Sequence, residues 1–130
     1  MLDTNACIRV LNGTSPTLVE RLAQHRPAEI LVSSVVRAEL FHGARKSRNV
    51  EKNLALLGRF FAPLGSAPFT DLCAEHYGMI RADLERTGKP IGPNDLLIAA
   101  TARAYDAVLV TANTREFQRV VGLRVQNWEA

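Results

Sequence analysis

Four acidic side chains stand where apolar runs begin or end. Asp3 follows only Met1 and Leu2 in "MLDTN"; Glu39 lies in "VVRAELFHG"; Asp95 lies in "IGPNDLL"; Glu116 lies in "NTREF". Hydroxyls and amides accompany them: Thr4 and Asn5 after Asp3, Thr111 and Asn113 ahead of Glu116. Carboxylates are normally kept at the surface. Three or four of them brought together repel by about 4 kcal/mol per pair at about 4 Å and an effective dielectric of about 20. Such a cluster needs a cation or raised pKa values. A donor set of oxygens alone, without His or Cys, selects a hard ion, Mg²⁺ or Mn²⁺. With arginines nearby to hold phosphates, that site suits hydrolysis of a phosphodiester.

Each residue also has an ordinary reading. Asp3 serves as a cap for the first helix, and Asp95 as a complement to a helix dipole. Asn113 and Glu116 have the spacing of a capping box. Glu39 reads equally as a solvated or ion-paired residue, and the spacing Glu39-x-x-His42, present once, is a weak metal motif. These readings are not independent. What favours the functional one is where the elements place the four residues.

The elements alternate. "SPTLVERLAQHRP" reads as a helix with Ser15 as N-cap, Pro16 in the first turn and Pro27 beyond the end. "EILVSS" is a short buried strand ending at two candidate caps, Ser33 and Ser34. "VVRAELFHGARKS" and "VEKNLALLGRFFAPLG" are helices by apolar spacing. "APF" is a candidate strand. "TDLCAEHYGMIRADLERTG" is a long helix capped by Thr70 and closed by Gly88. After the loop "GKPIGPND" comes a nearly all-apolar, buried helix, "DLLIAATARAY". "AVLVTAN" is an apolar strand and "LRVQNW" an edge strand. Strands alternating with helices predict an α/β fold with a parallel sheet covered on both faces. In such sheets ligands bind at the carboxyl ends of the strands. Asp3, Glu39, Asp95 and the Asn113–Glu116 stretch all fall on that rim.

The 130 residues suit a single domain spanning 1–130. No stretch approaches the roughly 20 apolar residues of a membrane span, and no signal-peptide pattern opens the chain. Cys7 and Cys73 lack CxxC spacing and read as buried thiols of a reducing compartment, so the expected location is the cytoplasm. Net charge is +3, with 16 basic residues against 13 acidic. Most of the basic residues are Arg, which binds phosphate oxygens as a planar fork. "GARKSR" places Arg45, Lys46 and Arg48 together as candidate contacts to backbone phosphates; a solvated helix end explains that run equally well.

"MLDTN", "VSSVVRAEL", "IGPNDLLIAATA", "VLVTANTREFQRV" and "GLRVQNW" resemble the PIN-domain ribonucleases, and closely the VapC-type toxins of bacterial toxin–antitoxin pairs. The likeness runs from the first residue to Trp128. It implies a three-layer sandwich: a central parallel sheet of four to five strands with helices on both faces. It implies metal-dependent endonucleolytic cleavage of RNA, a small VapB-like antitoxin that blocks the site, and a homodimer. Residue by residue, Asp3 and Asp95 match metal-binding aspartates, Glu39 the glutamate of the following helix, and Thr4 and Thr111 hydroxyls of the site. The chain departs at Asn113, where many PIN domains carry aspartate, so Glu116 is the candidate fourth charge. It also departs at the start: two residues before Asp3 make a thin strand against the usual five or six, and such proteins carry a few more residues there.

Two other classes compete. A phosphoaspartyl enzyme using Asp3 would want an acidic residue at position 5 and a lysine at a strand end; position 5 is Asn, and Lys46, Lys52 and Lys89 lie in helices or loops. A catalytically degenerate PIN-fold binding module is the alternative, motivated by the missing acid at 113 and opposed by intact Asp3, Glu39 and Asp95.

Overall fold

The computed structural model describes residues 1–130. Asp3 ends the extended N-terminal segment and caps the first helix, α1 (Thr4–Asn12). Gly13, at φ 65°, closes that helix in the left-handed conformation that glycine adopts without strain. Helix α2 (Pro16–Leu22) follows, with Ser15 at the N-cap position but making no side-chain cap bond. A single 3₁₀ turn at Pro27–Glu29 leads into β1 (Leu31–Ser33). Ser33 then caps α3 (Ser34–Arg45), its hydroxyl accepting from Val36 N–H at 3.2 Å. After α4 (Val50–Phe61) come β2 (Gly65–Ala67) and the long α5 (Asp71–Arg86), capped by Thr70 as its sequence predicts. Helix α6 (Pro93–Ala104), β3 (Leu109–Val110), the one-turn α7 (Thr114–Phe117) and β4 (Val125–Gln126) complete the order.

The strands form two parallel pairs rather than one continuous sheet of four to five regular strands. β1 pairs with β2, in the register Leu31 to Gly65 and Ser33 to Ala67. β3 pairs with β4, Leu109 opposite Val125. The N-terminal segment lies between the pairs and bonds to both. Leu2 N–H donates to Leu31 O at 3.0 Å, Asp3 N–H donates to Val110 O at 3.1 Å, and Val110 N–H donates to Met1 O at 2.8 Å. Only one residue, Leu2, makes a ladder bridge there, because Asp3 already turns the chain into α1.

Strand β2 begins two residues before the expected "APF". The cause is steric. A Cβ on residue 65 would stand 2.7 Å from Leu31 Cδ2 and 2.9 Å from Ala28 O, so pairing can begin at position 65 because a glycine stands there. Strands β3 and β4 are likewise shorter than "AVLV" and "LRVQNW".

The core gathers where these elements meet. Leu2, Val32, Leu109 and Val110 from the strands pack with Leu96, Ile98, Ala99, Ala100 and Ala102 of α6. Alanines on α6 let α5 pack closely along it. Each large apolar side chain fully buried here contributes about 1.5–3 kcal/mol. Thr101 is buried as well and donates its hydroxyl to Leu97 O at 2.7 Å, which satisfies it within its own helix. At the C-terminal end Trp128 stacks on His25, ring centroids 5.0 Å apart, and donates Nε1–H to Gln126 Oε1. That contact holds the last residues against the end of α2. No helix is long and apolar enough to cross a membrane.

Candidate active site

The carboxyl ends of Met1–Asp3, β1 and β3 open on one side, and the acidic residues collect there. Asp3 is only 6% exposed. Its Oδ1 accepts from Ala6 N–H at 2.8 Å, and its Oδ2 accepts a short hydrogen bond from the Thr111 hydroxyl. The helix cap and the candidate site residue are therefore the same side chain: one oxygen serves α1, the other faces the end of β3. Burial pushes the Asp3 carboxyl above its ordinary value, and the Thr111 and Ala6 hydrogen bonds and the Arg9 charge partly offset this.

Asp95 sits in the first turn of α6, whose N-cap is Gly92 and has no side-chain cap. Its carboxyl is also raised, first by burial and then by the negative charges of Glu116, Asp3 and Glu39. Three carboxylates from three other segments thus lie within electrostatic reach of Asp95. Glu39 is half-buried on α3, where it also lines an apolar groove with Ile8, Leu11, Leu40, Leu56 and Leu57.

Asn113 and Glu116 do not form the expected capping box. Asn113 makes no side-chain cap bond to α7. Its backbone N–H donates to Thr111 Oγ1 at 3.0 Å, and its Nδ2 donates to Glu116 Oε2 at 3.1 Å. Helix α7 is a single turn, so there is little helix to cap. The pair instead completes a hydrogen-bonded line from Glu116 through Asn113 and Thr111 to Asp3.

The other expected residues divide. The Thr4 hydroxyl, in the first turn of α1, is a buried side-chain oxygen with no hydrogen-bond partner. An orphaned polar atom beside a buried carboxylate marks a place where a further polar group belongs. Asn5 shares a cavity of about 300 Å³ with Asp3 and Asn113. Arg45, Lys46 and Arg48 are exposed at the end of α3, make no ion pair and do not line that cavity. The cation that does line it is Arg9, which sequence reasoning passed over. Its signal was available: Asn5 and Arg9 are four residues apart, hence on one face of the helix that Asp3 starts.

The donor set fits a hard divalent cation in chemistry: carboxylate oxygens, an unpartnered hydroxyl and no nitrogen or sulfur ligand. No three of the acidic side chains close around a common point. The cluster is assembled in charge without being a rigid cage.

The fold and this rim define the class. The PIN-domain model matches residues 1–123, and the chain belongs to that family. Within it the likeness is to the VapC ribonucleases. The chain is 41% identical over 128 residues to the tRNA(fMet)-specific endonuclease VapC of Shigella flexneri, covering 98% of this chain and 96% of that protein. Among solved structures it superposes with a TM-score of 0.90 and 40% identity on VapBC2 of Rickettsia felis bound to a promoter DNA fragment, covering 98% of this chain and 97% of that one. It matches VapBC-1 of nontypeable Haemophilus influenzae at a TM-score of 0.93 and 34% identity, covering 100% of this chain and 98% of that one.

Proposed function

We propose that this chain is the endoribonuclease toxin of a toxin–antitoxin pair and that it hydrolyses RNA at the acidic rim with Mg²⁺, or Mn²⁺ in its place. The observation that carries this reading is that the charges of Glu116, Asp3 and Glu39 all reach the half-buried Asp95, while Glu116 is tied through Asn113 and Thr111 to Asp3, in a member of a family whose relatives are named ribonucleases.

Asp3 and Asp95 would hold the ion directly, with Glu39 beside them and the free Thr4 hydroxyl at hand. When bound, such an ion screens the charge of the scissile phosphate and acidifies water. The chain's own groups then divide the work. Thr111 keeps Asp3 turned toward the rim through its short hydrogen bond. Glu116, held by Asn113 Nδ2, would take a proton from the attacking water. The water oxygen bonds to phosphorus, the bond from phosphorus to the 3′-oxygen breaks, and that oxygen takes up a proton. The products are a 5′-phosphate and a 3′-hydroxyl, and the 2′-hydroxyl takes no part.

Removing the metal tests this directly. Dialysis against EDTA should lower RNA cleavage by at least about 100-fold, and added Mg²⁺ or Mn²⁺ should restore it, because every proposed ligand is oxygen. Full activity in EDTA ends the proposal. The degenerate binding module predicts no cleavage with or without metal; the charge of Glu116 at the site, where position 113 lacks one, speaks against it.

The antitoxin partner fits a second feature. The apolar groove of about 360 Å³ between α1, α3 and α4 includes Glu39 at its edge. An apolar segment seated there would bring a basic side chain to the acidic cluster, where it replaces the charge of the metal. Leu56, exposed on α4 and outside the cavity beside Asp3, separates docking from catalysis. Leu56→Asp should weaken capture of a VapB-like antitoxin at least about 10-fold and leave RNA cleavage within about twofold. Unchanged affinity would move the antitoxin to another face.

A further inference from the structure

The cavity beside Asp3 is lined by Asp3, Asn5, Arg9, Ala112 and Asn113. It holds one cation and two amides next to a buried carboxylate. That composition is unsuited to a neutral apolar ligand and suited to an anion reached by N–H donors. Arg9 does not lie free on the surface. Its Nη1 donates to Glu129 Oε2 at 3.2 Å, and the two side chains are 36% and 18% exposed. The contact joins α1 to the segment that Trp128 anchors on His25. Only one guanidinium nitrogen is engaged, so donors on Nε and Nη2 are left for another acceptor. The charges of Arg9 and Glu129 both reach Asp3, with opposite effects on its carboxyl.

We propose that Arg9 is a substrate-binding residue of this site, gripping a backbone phosphate of the RNA next to the bond that is cut, with Glu129 holding its guanidinium at the cavity. The proposal rests on the ribonuclease reading above. Phosphate recognition here answers a specific electrostatic need. The acidic cluster repels the polyanion it must cut, and a cation on the cavity wall, one helix turn and a half from Asp3, draws the chain in without displacing a carboxylate. The neighbouring amide of Asn5 adds a neutral donor on the same helix face.

The pair's two halves make opposite predictions, which separates recognition from mere structural support. Arg9→Gln should raise KM for RNA about 10-fold, with kcat within about twofold, and Arg9→Lys should recover part of the loss. Glu129→Gln keeps an acceptor for Arg9 but removes a negative charge, so KM should stay level or fall. Binding of a single-stranded RNA oligonucleotide, measured by anisotropy in the inactive Asp95→Asn background, should show the same order. The slope of log K against log salt should become shallower by about 0.7 in Arg9→Gln, the loss of one single-strand phosphate contact. Equal changes in Arg9→Gln and Glu129→Gln would make the pair a structural clasp and overturn the proposal, as would an unaltered Kd and salt slope in Arg9→Gln. A wild-type chain that cuts no RNA would instead end the nuclease reading, and the anisotropy arm would still decide whether Arg9 contacts RNA.

Discussion

Asp95→Asn is expected to lower RNA cleavage by at least about 100-fold and to leave the metal-free protein at least as stable as before. The loss corresponds to about 2.7 kcal/mol of transition-state stabilisation. The stability follows from the surroundings of the carboxyl. Burial and the charges of Glu116, Asp3 and Glu39 raise its pKa in the folded state. The folded protein therefore holds the Asp95 proton at pH values where the unfolded chain, near about 3.9, has released it. The stabilising contribution of that proton is fully present below the unfolded pKa and is lost as pH rises through the folded one. In chelator, the melting temperature of Asp95→Asn should gain on that of the wild type as pH is raised from about 4 to 7. Added Mg²⁺ should then stabilise the wild type and not the variant. Cleavage within about threefold of wild type would remove Asp95 from the site; lost activity with a broadened, uncooperative melt would make its role structural. Asp3 is a poorer position for this experiment. Its oxygens accept from Ala6 N–H and the Thr111 hydroxyl, so an amide there sets its NH₂ against one of two donors and disturbs the start of α1.

Glu116→Gln is expected to slow cleavage by about 100-fold, the usual size of a lost general base, while stability changes by no more than about 0.5 kcal/mol. The small stability effect follows from the structure. Asn113 directs its amide to Glu116 and its backbone N–H to Thr111, not into a reciprocal cap. Glutamine can still accept the Asn113 Nδ2–H through its own oxygen, so what the variant loses is charge. Asn113→Asp alone should be harmful, because it sets a second carboxylate within about hydrogen-bond distance of the first. In the double variant Asn113→Asp with Glu116→Gln, the glutamine amide can donate back to the aspartate. The hydrogen bond is then kept with its direction reversed, and the charge returns on the neighbouring residue. Cleavage in the double variant should exceed that of Glu116→Gln alone. Wild-type rates in Glu116→Gln would show that three carboxylates suffice.

Much of this protein was legible in its amino-acid sequence, for a local reason. Caps at Ser33 and Thr70, the buried helix after "IGPN" and the order of strands and helices depend on neighbours within a few residues, and each is where its residues place it. The acidic rim was legible too, because alternation of strand and helix puts every strand's carboxyl end on one side. What needed tertiary structure was pairing between distant segments. The length of the central strand depends on how far Asp3 can continue a ladder before it turns to cap α1. The start of β2 depends on Leu31 and Ala28 leaving room only for Gly65. Asn113 and Glu116 carry the pattern of a capping box, but a one-turn helix offers it little, and Thr111, just past the end of β3, captures the backbone N–H that a cap would have used. Arg9 shows the same limit from the other side. Its place on the face of Asn5 is a matter of helix period; its partner, Glu129, comes from the far end of the chain, held there by the pairing of β4 and the packing of Trp128 on His25. Local chemistry is written in spacing, whereas the choice among several local bonds is made by whichever distant group arrives in the folded chain.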